Sequence, residues 1–322
     1  CTVRRLPGER PGETGRVDAM DPAGRYLLGT SFTGAARRQL IWADGVPGVV
    51  DDLGLSGALW AVDARGVAVG GGKDKEGRRI GLVYRDGRVD TLPGLDAVAR
   101  AIGPTGLIGG GQSVRGTVQP VVWRSPDELP AELPLPAGAV GGEVVAVTPD
   151  GGIVGVVHRA ARGSAAAEAR AYRWAPDGSG RQLPVPTVEG EPADGFEPTG
   201  AGDGWVAGVA IVHQSGRQRD RQPHRSRGML LDLSTGGFRA LPDAEATTPV
   251  GDGVRWVGSD PARPGAAALF LPDGRRLGLP TVAGAGEHRV NAMSADGRLL
   301  AGEAREAGAA GERAHAVVWR CR

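Results

Sequence analysis

Seven times along the chain a polar turn of the form Asp-x-x-Gly, or a relative of it, is followed by an apolar run that ends in glycine. The copies read AMDPAGRYLLG (19–29), AVDARGVAVG (61–70), AIGPTGLIGG (101–110), AVTPDGGIVG (146–155), TGAGDGWVAG (199–208), PVGDGVRWVG (249–258) and AMSADGRLLAG (292–302). Their turn glycines, Gly24, Gly66, Gly106, Gly151, Gly204, Gly253 and Gly297, lie 42, 40, 45, 53, 49 and 44 residues apart. That period suits a four-stranded propeller blade, for which known repeats run about 40 to 50 residues.

Two more apolar runs complete each unit. A third run carries an aromatic in LIW (40–42), LVY (82–84), VVW (121–123), YRW (172–174) and VVW (317–319), whereas units five and six are read as lacking it at its usual place. The fourth run ends in a Leu-Pro or a variant of it, as in VDTLPG (89–94), RQLPVP (181–186) and FRALP (238–242). Proline fits an outer-edge strand, where a missing N–H costs little. Between third and fourth runs, ADG (43–45), RDG (85–87), PDG (176–178) and PDG (272–274) are hairpin signals that need a residue at positive φ. The glycine closing the second run fits a close approach of backbones where blades converge.

The seventh unit stops after its third run, and TVRRLPG (2–8) matches the missing fourth. The pattern therefore predicts an all-β, seven-bladed β-propeller of four-stranded blades over 1–322. The blades fall at about 16–54, 58–94, 97–137, 142–186, 196–242, 246–280 and 289–321, with 1–8 closing the last.

Composition agrees with a packed, turn-rich chain. Its 55 glycines and 24 prolines accompany 40% hydrophobic residues, which argues against disorder. Net charge is +1, and arginines alternate with carboxylates along most of the sequence, so the stripe of positive charge expected of a nucleic-acid reader is missing. No apolar run approaches the ~18 residues of a membrane span. The chain opens without Met and without the profile of a signal peptide.

The only cysteines, Cys1 and Cys321, flank the fourth and third strands of the split blade, where every other blade has a hairpin. A disulfide there replaces that hairpin covalently, and paired hairpin ends suit its geometry. Chain-entropy models assign about 4–5 kcal/mol to closing so long a loop. Such a bond implies an oxidising compartment, hence an exported protein. Free thiols, or Cys1 as a lipidated first residue, are the alternatives.

QLIWADGVPGVVDDLG (39–54) and AHAVVWR (314–320) resemble the short repeat of HAF-repeat, or probable extracellular repeat, proteins of actinobacteria and other bacteria. That repeat pairs a His-Ala-Phe-Leu-Trp-like strand with an Asp-Leu-Gly ending and an Asn-x-x-Gly-x-Val-Gly segment, which AMDPAGRYLLG and AMSADGRLLAG resemble. His315 alone keeps the motif histidine. The resemblance implies a secreted β-propeller and brings no catalytic residues.

Candidate chemistry is sparse. IVHQSGRQRDRQPHRSRG (211–228), read as a connection between second and third strands, sets Arg217, Arg219, Arg221, Arg225, Arg227, His213 and His224 against Asp220 alone. Guanidinium groups there suit an anionic partner, and the plainer reading is a solvated loop answering Glu189, Glu191 and Asp194. The recurrent Trp42, Trp123, Trp174 and Trp319, with Tyr84, read as packing between blades. Trp60 and Trp205 do not recur and are the stacking candidates.

The five histidines lack metal-site spacing, and GQSVRG (111–116) is out of register with a nucleophile elbow. GGGKDKEG (70–77) reads as a loop rather than a phosphate cradle. Neither a metal nor a cofactor is expected. These residues point to an exported, non-catalytic recognition module for a protein or carbohydrate partner; a part of a larger secreted assembly is a third reading that the residues do not separate from it. The alternative is a propeller enzyme, a lyase or hydrolase, with its site at the mouth of a central channel; inner runs such as WAVD (60–63) offer few polar groups for that.

Overall fold

A computed structural model describes residues 1–8, 13–33, 36–51, 53, 55–159, 168–213, 224–241, 255–260, 262–271, 273–306 and 313–322. All regular structure among them is β. The chain divides into two compact units, one of Cys1–Leu92 with Val250–Arg322 and one of Pro93–Pro249.

Strands β1 (Thr2–Arg5), β2 (Thr14–Met20), β3 (Tyr26–Thr33), β4 (Ala36–Ala43), β5 (Val46–Val50), β6 (Leu55–Val62), β7 (Ala68–Lys73), β8 (Arg79–Arg85) and β9 (Arg88–Thr91) open the first unit. The second unit holds β10 (Ala97–Ile102), β11 (Ile108–Val114), β12 (Thr117–Trp123), β13 (Ala131–Glu132), β14 (Ala139–Val147), β15 (Ile153–Arg159), β16 (Glu168–Trp174) and β17 (Gly180–Gln182). It continues with β18 (Thr187–Val188), β19 (Glu191–Pro192), β20 (Gly195–Gly202), β21 (Trp205–His213), β22 (His224–Asp232) and β23 (Phe238–Ala240). The first unit resumes with β24 (Trp256–Ser259), β25 (Ala267–Phe270), β26 (Arg276–Gly278), β27 (Glu287–Met293), β28 (Leu299–Glu306) and β29 (Arg313–Arg320).

Within the first unit the antiparallel sheets run β2-β3-β4-β5, β6-β7-β8-β9, β24-β25-β26 and β27-β28-β29-β1. The N-terminal strand does complete the last sheet, Thr2 to Arg5 pairing with Arg320 to Val317, and Cys1 is bonded to Cys321 with Cα atoms 4.0 Å apart. Part of the sixth repeat, PVGDGVRWVG, lies outside the described residues. In the second unit β10-β11-β12-β13 forms one sheet. The ladders β14-β15-β16-β17 and β20-β21-β22-β23 are bridged by a single parallel pair, Arg170 with Phe196. The acidic TVEGEP is not a plain loop but a small hairpin, β18–β19. It turns through Glu189 and Gly190 at positive φ and buries Val188.

Three local rules explain the repeat. First, in five of the repeats the residue that opens the turn closes it: Gly24 N–H donates to Asp21 O, while the Asp21 carboxylate accepts from the N–H groups of Ala23 and Tyr26. Asp63 does the same; at the same place Ser294 Oγ accepts from Leu299 N–H, whereas Thr148 Oγ1 donates to Gly152 O. Second, the first strand of six sheets bulges by one residue, at Asp18, Trp60, Arg100, Val145, Thr199 and Asn291. Each bulge lies beside the glycine that ends the repeat. A Cβ on Gly29 would collide with the Arg16 carbonyl oxygen, and one on Gly302 with that of Arg289. The close approach thus occurs inside a blade, against its own bulged strand, not between blades.

Third, Leu-Pro is a ladder end with a second purpose. The leucine N–H still bonds the third strand, as in Leu6 to Ala316 O and Leu92 to Gly81 O, and proline stops the ladder. Its free carbonyl then accepts an indole N–H from the neighbouring sheet: Trp42 to Pro7, Trp123 to Pro93, Trp174 to Pro134 and Trp319 to Pro280, at 2.7–2.8 Å. All four indoles are at most 1% exposed. Packing between sheets, expected for these tryptophans, is therefore reinforced by a directed bond at every one of them.

In register, unit six does carry an aromatic at this place, Phe270 opposite Trp256, which corrects the sequence reading; unit five has Leu231 there. Hairpins at Asp44-Gly45 and Asp86-Gly87 have both residues at positive φ, as a two-residue type I′ turn needs. At 176–178 only Gly178 does, because Ala175 N–H bonds Ser179 O across a longer loop.

Candidate binding face

At one end of the strands lie the uniform Asp-x-x-Gly turns. At the other lie the connections from second to third strand and from one sheet to the next, whose length varies. In the first unit this second end opens two clefts between neighbouring sheets.

The larger cleft, about 520 Å³, lies between β4 and β5 on one side and the start of β6 on the other, with Arg37, Gln39, Val50, Asp51, Leu53 and Ser56 in its wall. Gln39 is buried and spans the gap: its Nε2 donates to Gly29 O at 3.0 Å, and its Oε1 accepts from Leu59 N–H at 3.2 Å. Ser56 holds φ 58°, unusual for a residue other than glycine.

The smaller cleft, about 240 Å³, separates β1 and β29 from β2–β4 and is lined by Glu13, Thr14, Ser31, Trp42 and His315 among others. The Glu13 side chain is 2% exposed and faces Arg38 at 3.5 Å. Ser31 Oγ is buried without a hydrogen-bond partner among the described residues. Arg5, which lines the same cleft, donates to Glu306 Oε1, and His315 Nε2 lies 3.4 Å from Glu306 Oε2. Burial pushes the Glu306 carboxyl up, but the Arg5 hydrogen bond and charge outweigh it and hold the group below its ordinary value.

The sequence-predicted residues are dispersed. Trp60 sits on the bulge of β6 and is 37% exposed. Trp205 is 5% exposed, packed over Gly202, and is a core residue rather than a stacking platform; starting a strand opposite Gly202, it had to turn inward. Arg217, Arg219 and Arg221 lie outside the described residues. The connection holding them is shorter than the sequence suggested, since β21 runs to His213 and β22 starts at His224, the two histidines directly paired in register. His224, Arg225 and Arg227 therefore stand on a strand, and Arg227 is exposed. Glu189, Glu191 and Asp194 are each engaged in polar or electrostatic interactions.

First strands are more polar than WAVD suggested. Arg16 bonds Asp18 at 2.6 Å, Asp18 accepts from Thr30 Oγ1, and Asn291 Nδ2 donates to Val17 O in the neighbouring sheet. Arg100 faces Glu143 at 3.6 Å in the second unit. Among the described residues no three His, Cys, Asp or Glu side chains gather as metal ligands would, and no helix is long and apolar enough to cross a membrane. Sequence reasoning missed Arg37, Gln39 and Ser56, which follow no repeat and show no motif.

No family model matches the sequence, and no curated protein matches it. Solved structures do. An oligogalacturonate lyase in complex with manganese superposes with TM-score 0.57 over 99% of this chain and 93% of its own, at 11% identity. The β-propeller domain of the Trilobed protease from Pyrococcus furiosus gives 0.57 over 94% and 93%, also at 11%. TolB from Acinetobacter baumannii gives 0.51 at 18% identity, over 86% of this chain and 65% of that one. The chain is a β-propeller. The Trilobed protease domain is described as having an open velcro topology, whereas here β1 pairs with β29.

Proposed function

We propose that this propeller is an exported, seven-bladed recognition module of the HAF-repeat kind that takes a protein or carbohydrate partner on the face bearing its variable connections. The observation that carries the reading is the pair of clefts between sheets at that end of the first unit, each mixing charged, hydroxyl and apolar walls. Pockets of that make-up on a rigid scaffold are where binding concentrates. The Cys1–Cys321 bond favours an oxidising compartment.

The test is capture from the culture supernatant of the source organism, in parallel with a glycan array, using the disulfide-bonded protein. A saturable protein or glycan partner, left chemically intact, supports the module. Turnover of a captured polysaccharide or peptide would replace it with the enzyme reading.

A further inference from the structure

The geometry points to the cleft between β4–β5 and β6 as a site for an acidic saccharide, a uronate-containing chain whose carboxylate pairs with Arg37. This rests on the recognition reading above and names its ligand class.

Successive residues of β4 alternate between two faces. Gln39 and Ile41 turn toward β6 and its core, so Arg37 shares their side; Arg38, which also borders the cleft, is paired with Glu13. Arg37 is exposed, and no ion pair forms between it and any described carboxylate. It is therefore a guanidinium offered to the cleft, with the planar pair of donors that suits a carboxylate.

Asp51 and the Ser56 hydroxyl line the same cleft. Asp51 accepts hydrogen bonds from sugar hydroxyls, and Ser56 both donates and accepts, a need that a saccharide meets at every ring and an acidic peptide does not. Leu53, partly exposed, gives the apolar wall on which the C–H face of a pyranose can lie, with Val50 buried behind the cleft. The frame is set before any ligand arrives: the Gln39 amide is bonded at both ends, and Gly57 presses so closely on the Leu53 carbonyl that a Cβ would collide with it. A rigid site loses little entropy on binding. About 520 Å³ is within the range of small-molecule pockets.

Titration calorimetry should use the intact disulfide-bonded protein with four probes: an oligogalacturonate of defined length, its methyl ester, a neutral glucan oligomer, and a poly-glutamate peptide. We expect binding to the oligogalacturonate that weakens with salt, and at least about tenfold weaker binding of the ester and of Arg37→Ser, the loss expected for a charge-assisted contact. Asp51→Asn should weaken it less. Arg37 is exposed, so circular dichroism should show R37S folded. Equal affinity for acid and ester, unchanged affinity in R37S, or preference for poly-glutamate would each overturn the site. If no oligogalacturonate binds while another partner is captured, this cleft assignment fails and the recognition reading stands. If nothing binds in either experiment, both fail.

Discussion

Trp174→Phe and Trp205→Phe make the same cut in two buried indoles of the second unit, yet they should differ. Trp174 is 0% exposed and Trp205 5%, so both replacements leave a similar void, worth roughly 1 kcal/mol at about 24 cal/mol per Å³ of residual cavity. Trp174 Nε1 also donates to the Pro134 carbonyl at 2.8 Å, whereas Trp205 Nε1 is buried with no partner among the described residues. Pro134 is exposed and water can reach its carbonyl, so the lost bond counts at the low end, about 1 kcal/mol. Removing the unsatisfied Trp205 donor should instead return about 1 kcal/mol, offsetting its void. The expected outcome is a loss near 2 kcal/mol for W174F and near zero for W205F. Urea unfolding followed by circular dichroism, compared at equal slope m, reads the gap as a difference in midpoint. Equal shifts, or a larger one for W205F, would refute the view that Leu-Pro carbonyls latch neighbouring sheets.

Three further outcomes can be checked. Reducing the disulfide, or Cys321→Ser, should lower stability by up to about 5 kcal/mol and free β1 first, read as faster amide exchange at Thr2–Arg5 than elsewhere in the unit. His288 is buried, and burial lowers its pKa; its Nε2 accepts from Val282 N–H at 2.9 Å, which only the unprotonated ring nitrogen can do. Stability linked to it should be complete above about pH 6.5 and decline as pH falls toward the depressed folded value, and His288→Gln should flatten that slope in a Tm series. Asp260, its side chain 2% exposed between Arg263 and Arg276, has a carboxyl held down by the Arg263 hydrogen bond. Its contribution should be complete above about pH 3.9 and decline as pH falls from there through the depressed folded value, and Asp260→Asn should lower Tm at neutral pH while removing that acid transition.

Period and turn chemistry were legible because they are local. Asp-x-x-Gly declared its hairpins, Leu-Pro declared strand ends, and the orphaned TVRRLPG found its partner in VVWRCR. What stayed hidden was nonlocal. Whether a tryptophan packs inward or faces solvent depends on the strand register around it: Trp60 is exposed on a bulge while Trp205 is buried beside Gly202, and nothing in WAV or WVA separates them. Arg37 and Arg38 look alike in sequence. One residue of strand alternation sends Arg38 to Glu13 and leaves Arg37 beside a cleft. The bulges escaped notice for the same reason, since their sign is only a glycine in the partner strand.

The bond between Cys1 and Cys321 joins points 320 residues apart, so backbone and disulfide together form one covalent macrocycle. A protease that cuts any single connection, including the arginine-rich one at 214–223, opens that ring without releasing a fragment. Two cuts are needed before a piece held only by hydrogen bonds and packing can leave. A singly nicked molecule should migrate as one band without reductant and as two with it. This tolerance of a first cut prolongs the working life of the scaffold wherever proteases meet it.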